Sequence, residues 1–175
     1  HHTVKRYNRL MKVIAEDPKD RVKDVNEEIQ FIKKRQQDCS KLLDMSASGE
    51  LPMRVTHNDT KINNVMMDEK LDEAVCVIDL DTVMPGLAAY DFGDLVRTAV
   101  SAHEEDTTDL ETVKVRPVFF KALAKGYIDG CSALTKNEIE HLAFGGKLMA
   151  LEVGIRFLTD HLEGDIYFRI SRENH

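Results

Sequence analysis

The chain has 175 residues, 42% hydrophobic and 31% charged, which is enough for one good core with an appendage but not for two full domains, and rules out wholesale disorder. Twenty-four Lys and Arg against 31 Asp and Glu leave a net charge of −7, with no basic tract of the kind that grips a phosphate backbone, so nucleic acid is not an expected partner. Cys39, Cys76 and Cys131 form no CxxC pair, and no run of about eighteen apolar residues or charged-then-apolar leader occurs; a disulfide framework, a zinc knuckle, a membrane span and a signal peptide are therefore not expected, and a reducing cytosol is.

Taken in chain order, His1 and His2 are either the remnant of an expression tag or native sequence. From Asp17 to Gly49 the signals predict one amphipathic helix. Asp17 is its cap, Pro18 its first position, and Val22, Val25, Ile29, Ile32, Cys39 and Leu43 fall on alternating three- and four-residue steps. Gln36 interrupts that stripe, which favours packing on a core over a coiled coil. The apolar runs Asn64 to Met67 and Ala74 to Ile78, joined by the charged connector from Asp68 to Glu73, predict a small β-hairpin. The unbroken run Val75 to Ile78 implies a strand covered on both faces, delivering Asp79 to the rim of a dry core.

Helices are expected next over Tyr90 to Ala102 and over Val113 to Ile128. Thr135 and Glu138, three apart, form a capping box that opens a helix with Ile139, Leu142, Met149, Val153 and Phe157 on its apolar side, running toward Gly164. Gly145 and Gly146 within it each cost roughly 1 kcal/mol relative to Ala, so a close helix contact or a kink is expected there. Met66, Met67, Met84 and Met149 read as packing residues. His103, His141 and His161 lack paired metal-ligand spacing and read as core or surface residues. The fold class is α+β, mainly α, with a small β-hairpin.

The dense part of the chain is His57-Asn-Asp-Thr-Lys-Ile-Asn-Asn64, followed by a strand and then Ile78-Asp-Leu-Asp81. Asp59, on an irregular loop, can accept a proton from a hydroxyl. Asn64 and Asp79 are oxygen donors at neighbouring ends of one hairpin, where a hard divalent cation can bridge them. Phosphoryl transfer needs an aligned nucleophile, a magnesium ion on the phosphate oxygens and added positive charge, for which Lys61 is available. Lys61 is read either as a phosphate ligand or as a solvent-facing cation, and Asp81 either as a second metal or water-mediated ligand or as a solvated turn residue. Asp91 is read as the N-cap of the helix it opens, a role it can combine with ordering the loop. Asp94 and Arg97 read as an exposed ion pair and only as weak substrate candidates.

The order His57-x-Asp59-x-Lys61-x-x-Asn64 resembles the catalytic loop of protein-kinase-like phosphotransferases. The aspartate expected to meet the metal arrives in Ile-Asp-Leu-Asp, 15 positions after Asn64; the Asp-Phe-Gly triplet at Asp91 lies 27 after it, too far for a metal loop. That pattern is similar to the small-molecule branch, the aminoglycoside phosphotransferases, choline kinases and their relatives. The strings Arg54 to Lys61, Val77 to Gly86 and Tyr90 to Arg97 resemble bacterial N-acetylhexosamine 1-kinases, with similarity continuing through Ala150 to Phe168 and back to His2-Thr-Val-Lys-Arg6, which favours a native His1-His2.

The resemblance implies a protein-kinase-like fold with the hairpin bearing the active site, ATP as co-substrate and Mg2+ held by Asn64 and Asp79, with Asp81 as a further ligand. It implies Asp59 as catalytic base beside Lys61, His57 and Asp91 as structural braces, and a small-molecule sugar as the other partner. The acceptor is expected to be the anomeric hydroxyl of an N-acetylhexosamine; an aminoglycoside, choline or homoserine kinase of the same fold, or a truncated noncatalytic lobe, are the alternatives. Neither a Gly-rich phosphate loop nor a VAIK-like strand occurs. Residues 1–175 are therefore expected to be the C-terminal lobe of a longer enzyme whose nucleotide lobe lies outside this chain. Nothing in the sequence sets the oligomeric state.

Overall fold

A computed structural model describes residues 1–71, 73–103 and 107–170. The fold is α+β and mainly α. Its contacts divide into two compact units, one formed by Met45–Met149 with His1, the other by His2–Asp44 with the chain from Ala150 onward.

The second of these begins with α1 (Thr3–Glu16), whose Thr3, Tyr7, Leu10 and Val13 recur at three- and four-residue steps and are buried. The expectation of one helix from Asp17 to Gly49 is corrected here. Asp17 closes α1 in the left-handed region, φ 40°, with its N–H on the Val13 carbonyl at 2.8 Å. Its carboxylate then accepts the N–H groups of Arg21 and Val22 at 2.9 and 3.3 Å, so it organises a turn rather than capping a helix at Pro18. The stretch beyond breaks into α2 (Asn26–Lys33) and α3 (Asp38–Ala47). Between them the N–H groups of Arg35, Gln36, Asp38 and Cys39 bond carbonyls three residues back, which tightens the chain and interrupts the α-helical ladder. The apolar stripe survives the break in part: Ile29, Ile32, Cys39 and Leu42 are buried, whereas Leu43 is only half-buried. Burial raises the Cys39 thiol pKa to about 11, and all three cysteines are free. The distal half of α6 (Lys136–Glu163) completes the unit with Leu151, Ile155, Leu158 and Leu162 buried and with Glu152 accepting from Thr3 Oγ1 at 2.5 Å. Past Gly164 the chain turns back, and the Asp160 carboxylate accepts the N–H groups of Ile166, Tyr167 and Phe168 at 3.1, 2.8 and 2.9 Å.

In the other unit β1 (Arg54–Thr56) pairs antiparallel with β4 (Met84–Gly86), and β2 (Val65–Asp68) with β3 (Glu73–Val77), Val65 opposite Val77. The second pair is the expected hairpin. The expectation that Val75–Ile78 is covered on both faces is corrected: every residue of β3 is exposed, as are Ile78 and Asp79. Met66, Met67 and Met84 are likewise exposed, and of the four methionines read as packing only Met149 is buried.

Helix α4 (Ala88–Ala99) follows β4 directly, with Leu87 rather than Asp91 as N-cap. It ends three residues earlier than its apolar pattern suggested. The Arg116 guanidinium bonds the carbonyls of Ala99, Val100 and Ser101 at 3.1, 3.1 and 2.8 Å, satisfying the carbonyls a helix end leaves open. Helix α5 (Pro117–Gly130) starts with Pro at its first turn. The core is Phe92, Val96, Val100 and Leu142, packed by Phe120, Leu123 and Tyr127. Ile139, placed on the apolar side of α6 by its spacing, is in fact exposed.

The capping box is present, Thr135 N–H donating to Glu138 Oε2 at 2.8 Å and Glu138 N–H to Thr135 Oγ1 at 3.3 Å. Glu138 also takes a two-pronged ion pair from Arg54, at 2.9 and 2.7 Å, tying β1 to the start of α6. The helix contact expected at Gly145 is present too. A Cβ on Gly145 would lie 2.0 Å from the Ala89 carbonyl oxygen, and one on Gly93 would lie 2.4 Å from the Gly145 carbonyl oxygen, so α4 and α6 cross backbone against backbone.

Candidate functional site

The loop from His57 to Asn64 leaves β1 and lies along α4, whose position is set by the glycine crossing. Asp91, in the first turn of α4 and 8% exposed, turns its carboxylate onto the loop, with Oδ2 accepting from His57 N–H at 2.8 Å and Oδ1 from Asn58 N–H at 2.7 Å. Burial raises the Asp91 pKa above the ordinary carboxylate value even though these two N–H groups favour its charge. Asp91 is thus no N-cap; it holds the loop backbone. From the other side Thr82 Oγ1 donates to the His57 carbonyl at 2.6 Å, and the His57 ring Nε2 lies 2.9 Å from the Ile78 carbonyl oxygen. Asn58 adopts the left-handed region, φ 64°, which Asn tolerates. Its side-chain amide donates to the carbonyls of Thr56 and Thr82 at 3.2 and 3.0 Å. These braces turn the chain sharply one residue before Asp59.

Asp59, Lys61 and Asn64 converge. Lys61 Nζ lies 2.8 Å and Asn64 Nδ2 3.0 Å from the same Asp59 oxygen, Oδ2, and Asn64 Nδ2 also donates to the Asp59 carbonyl at 2.8 Å. Partial burial opposes the Asp59 charge, but the hydrogen bonds from Lys61 and Asn64 and the nearby ammonium outweigh it, so its pKa lies below the ordinary value. The bond to Asp59, opposed by partial burial, holds the Lys61 pKa above its ordinary value, with Asp79 and Asp94 close enough to add to the effect. Asn64 is 5% exposed and sits at the end of a one-turn 3-10 helix, Ile62–Asn64.

The hairpin register sets the backbone just before Asp79 against Asn64. The Ile78 N–H bonds the Asn64 carbonyl at 2.9 Å, extending the ladder one step beyond the Val65–Val77 pair, and Asp79 follows in the left-handed region, φ 63°. Asp81 lies exposed in the succeeding turn, Leu80–Thr82. Asp94 and Arg97 do pair, at 2.8 Å, but their side chains are only 5% and 15% exposed, which corrects the expectation of an exposed pair.

With Nδ2 of Asn64 engaged by Asp59, its Oδ1 remains as an acceptor, and Asp79 adds a carboxylate. This oxygen-only set fits Mg2+, which is ordinarily held by one or two protein ligands together with phosphate oxygens and water. Among the described residues no three His, Cys, Asp or Glu side chains gather into a metal cage. Thr56, Asn58, Thr60 and Thr82 brace the loop but were given no role by the sequence: Asn58 and Thr60 stand inside the motif, Thr56 just before it and Thr82 beyond the hairpin, and the tertiary hydrogen bonds identify them.

The chain matches the phosphotransferase enzyme family (APH) over residues 4–127, a span that takes in every candidate residue from His57 to Arg97. That match covers well over half of the chain, and its kinase-like character agrees with the loop, the hairpin and the helical surround; the chain belongs to the phosphotransferase enzyme family.

Proposed function

We propose that this chain is the larger, C-terminal lobe of an ATP- and Mg2+-dependent kinase that phosphorylates the anomeric hydroxyl of an N-acetylhexosamine. The observation that supports the reading is the convergence of Lys61 and Asn64 on one oxygen of Asp59, together with the backbone bond from Ile78, the residue before Asp79, to Asn64. Asp59, kept ionised by these contacts, accepts the proton of the acceptor hydroxyl through its second oxygen and orients it for in-line attack. Asn64 Oδ1 and Asp79 would hold the Mg2+, which when bound supplies charge neutralisation on the phosphate oxygens. Lys61 shifts between Asp59 and the transferred phosphoryl group. Asp91 and His57 fix the loop in place without touching the reacting atoms.

The uncovered apolar residues of the hairpin, Met66, Val75, Val77 and Ile78, support the domain reading, because a nucleotide-covering lobe and an adenine ring would bury them. In this reading the enzyme works in the cytosol. Among the described residues no helix is long and apolar enough to cross a membrane. The test is ADP release by the full-length protein against N-acetylglucosamine, N-acetylgalactosamine, kanamycin, choline and homoserine, with the product's phosphorus position read by NMR. The reading expects turnover on an N-acetylhexosamine with phosphate on C1. Preferential turnover of another acceptor would replace the substrate, and no ADP release with any of them would overturn the kinase reading in favour of a noncatalytic lobe.

A further inference from the structure

We propose that Thr98 is a positioning residue that caps, from the neighbouring helix, the 3-10 turn carrying Asn64. This rests on the reading of Asp59 and Asn64 given above. The turn Ile62–Asn64 has Lys61 at its N-cap, and Lys61 makes no side-chain capping bond, since an ammonium has donors only and offers no acceptor for a backbone N–H. The first N–H of such a turn has no partner within the turn. Here the Ile62 N–H is met by Thr98 Oγ1 at 3.1 Å, while the same hydroxyl directs its hydrogen back to the Asp94 and Leu95 carbonyls, both at 3.2 Å. One hydroxyl thus donates to its own helix and accepts from the loop, and both of its functions are used.

Thr98 lies seven residues beyond Asp91, two turns along α4 and on the same face. Asp91 holds the loop at His57 and Asn58, and its carbonyl accepts the Thr60 hydroxyl at 2.5 Å. Thr98 holds the other end. Between these fixed points run Asp59 and Lys61, and two residues after Thr98's contact comes Asn64, whose amide bonds Asp59 at one edge and whose backbone bonds Ile78 at the other. Freedom at Ile62 therefore reaches the Asp59–Asn64 contact and the step to Asp79 together.

The experiment uses the full-length protein with Thr98→Val, which keeps the shape and removes the acceptor, Thr98→Ala as a second removal, and Thr98→Ser, which keeps the hydroxyl. Amide exchange by NMR reports on the turn without reference to catalysis. The Ile62 amide is expected to exchange about fivefold or more faster in the Val and Ala variants, the size of one ordinary hydrogen bond, with the Asn58 amide unchanged and the Ser variant like wild type. In turnover, kcat is expected to fall about fivefold and the Mg2+ concentration for half-maximal rate to rise, with the acceptor KM within twofold and Thr98→Ser restoring both. Unchanged Ile62 exchange overturns the proposal. So does faster exchange accompanied by unaltered kcat and Mg2+ requirement, which would leave Thr98 a structural contact only. If wild type turns over no acceptor, the kinase reading and with it the positioning role fall, while the exchange data still decide whether Thr98 caps the turn.

Discussion

Replacing Gly145 with alanine is expected to destabilise the protein, whereas the same replacement at Gly154, nine residues along the same helix, is expected to stabilise it. Both lie inside α6, where exchanging Gly for Ala is worth about 1 kcal/mol in backbone entropy and helix propensity. At Gly154 nothing stands within 4 Å of the new methyl, so the gain is realised. At Gly145 the methyl would lie 2.0 Å from the Ala89 carbonyl oxygen and 2.8 Å from its carbon. These are backbone atoms that no rotamer change can move aside, so the two helices must separate by about 1 Å to restore contact distance. Overpacking of this kind costs about 1–3 kcal/mol, and the upper end applies because Phe92 and Val96, on the displaced helix, belong to the core. The net loss is about 2 kcal/mol. At roughly 2–4 °C per kcal/mol for a chain of this length, Tm should fall by about 4–8 °C for Gly145→Ala and rise by about 2–4 °C for Gly154→Ala. Thermal unfolding followed by circular dichroism measures both. Equal shifts of the same sign would refute the backbone crossing and, with it, the account of how α4 is held against the loop.

Asp91→Asn leaves one amide oxygen for two N–H donors and turns an NH2 toward the other, so hydrogen exchange at His57 or Asn58 should rise and stability fall by about 2 kcal/mol; unchanged protection at both amides would contradict the clamp. Glu138→Gln should lower Tm at pH 7, because the part-exposed Arg54 loses its charged partner and the cap on Thr135 is weakened. The Glu138 pKa is lowered chiefly by the hydrogen bond from Arg54, so its stabilisation is present above its unfolded pKa of about 4.3 and is lost as pH falls through its lower folded value. The Tm difference between wild type and Glu138→Gln should therefore be constant near neutrality and shrink below about pH 4; a difference that grows on acidification would contradict the pairing.

How far the sequence reaches depends on the range of the interactions involved. The capping box at Thr135 and the hairpin are local in chemistry and legible from residue type and spacing; the glycine pair at Gly145 pointed to a close helix contact or a kink, and it is the contact that is present. The interruption between α2 and α3 was not, because Ile29, Ile32 and Cys39 keep a helical stripe across a turn that retains three-residue hydrogen bonding. Asp17 stands beside Pro18 and so reads as a start, yet its left-handed backbone makes it an end. The three-residue strands β1 and β4 are too short to show alternation. The run Val75–Ile78 carries the composition of a covered strand, yet it is exposed. At the site, the order His57, Asp59, Lys61, Asn64 marked the loop. The burial of Asp94 and Arg97, and the hydroxyls of Thr82 and Thr98, depend on which element packs nearby, and no spacing encodes that.

The most direct measurement is steady-state turnover of full-length Asp59→Asn alongside calorimetric binding of Mg-ATP and of the sugar. The amide keeps the size of the side chain and its contact with Lys61 but cannot take a proton. If Asp59 is the base, kcat falls by two orders of magnitude or more, in the range set by removal of general-base catalysis, with both affinities within a few-fold of wild type. Retention of most of the turnover would remove Asp59 from that role and with it the reading of the loop as a phosphotransfer site.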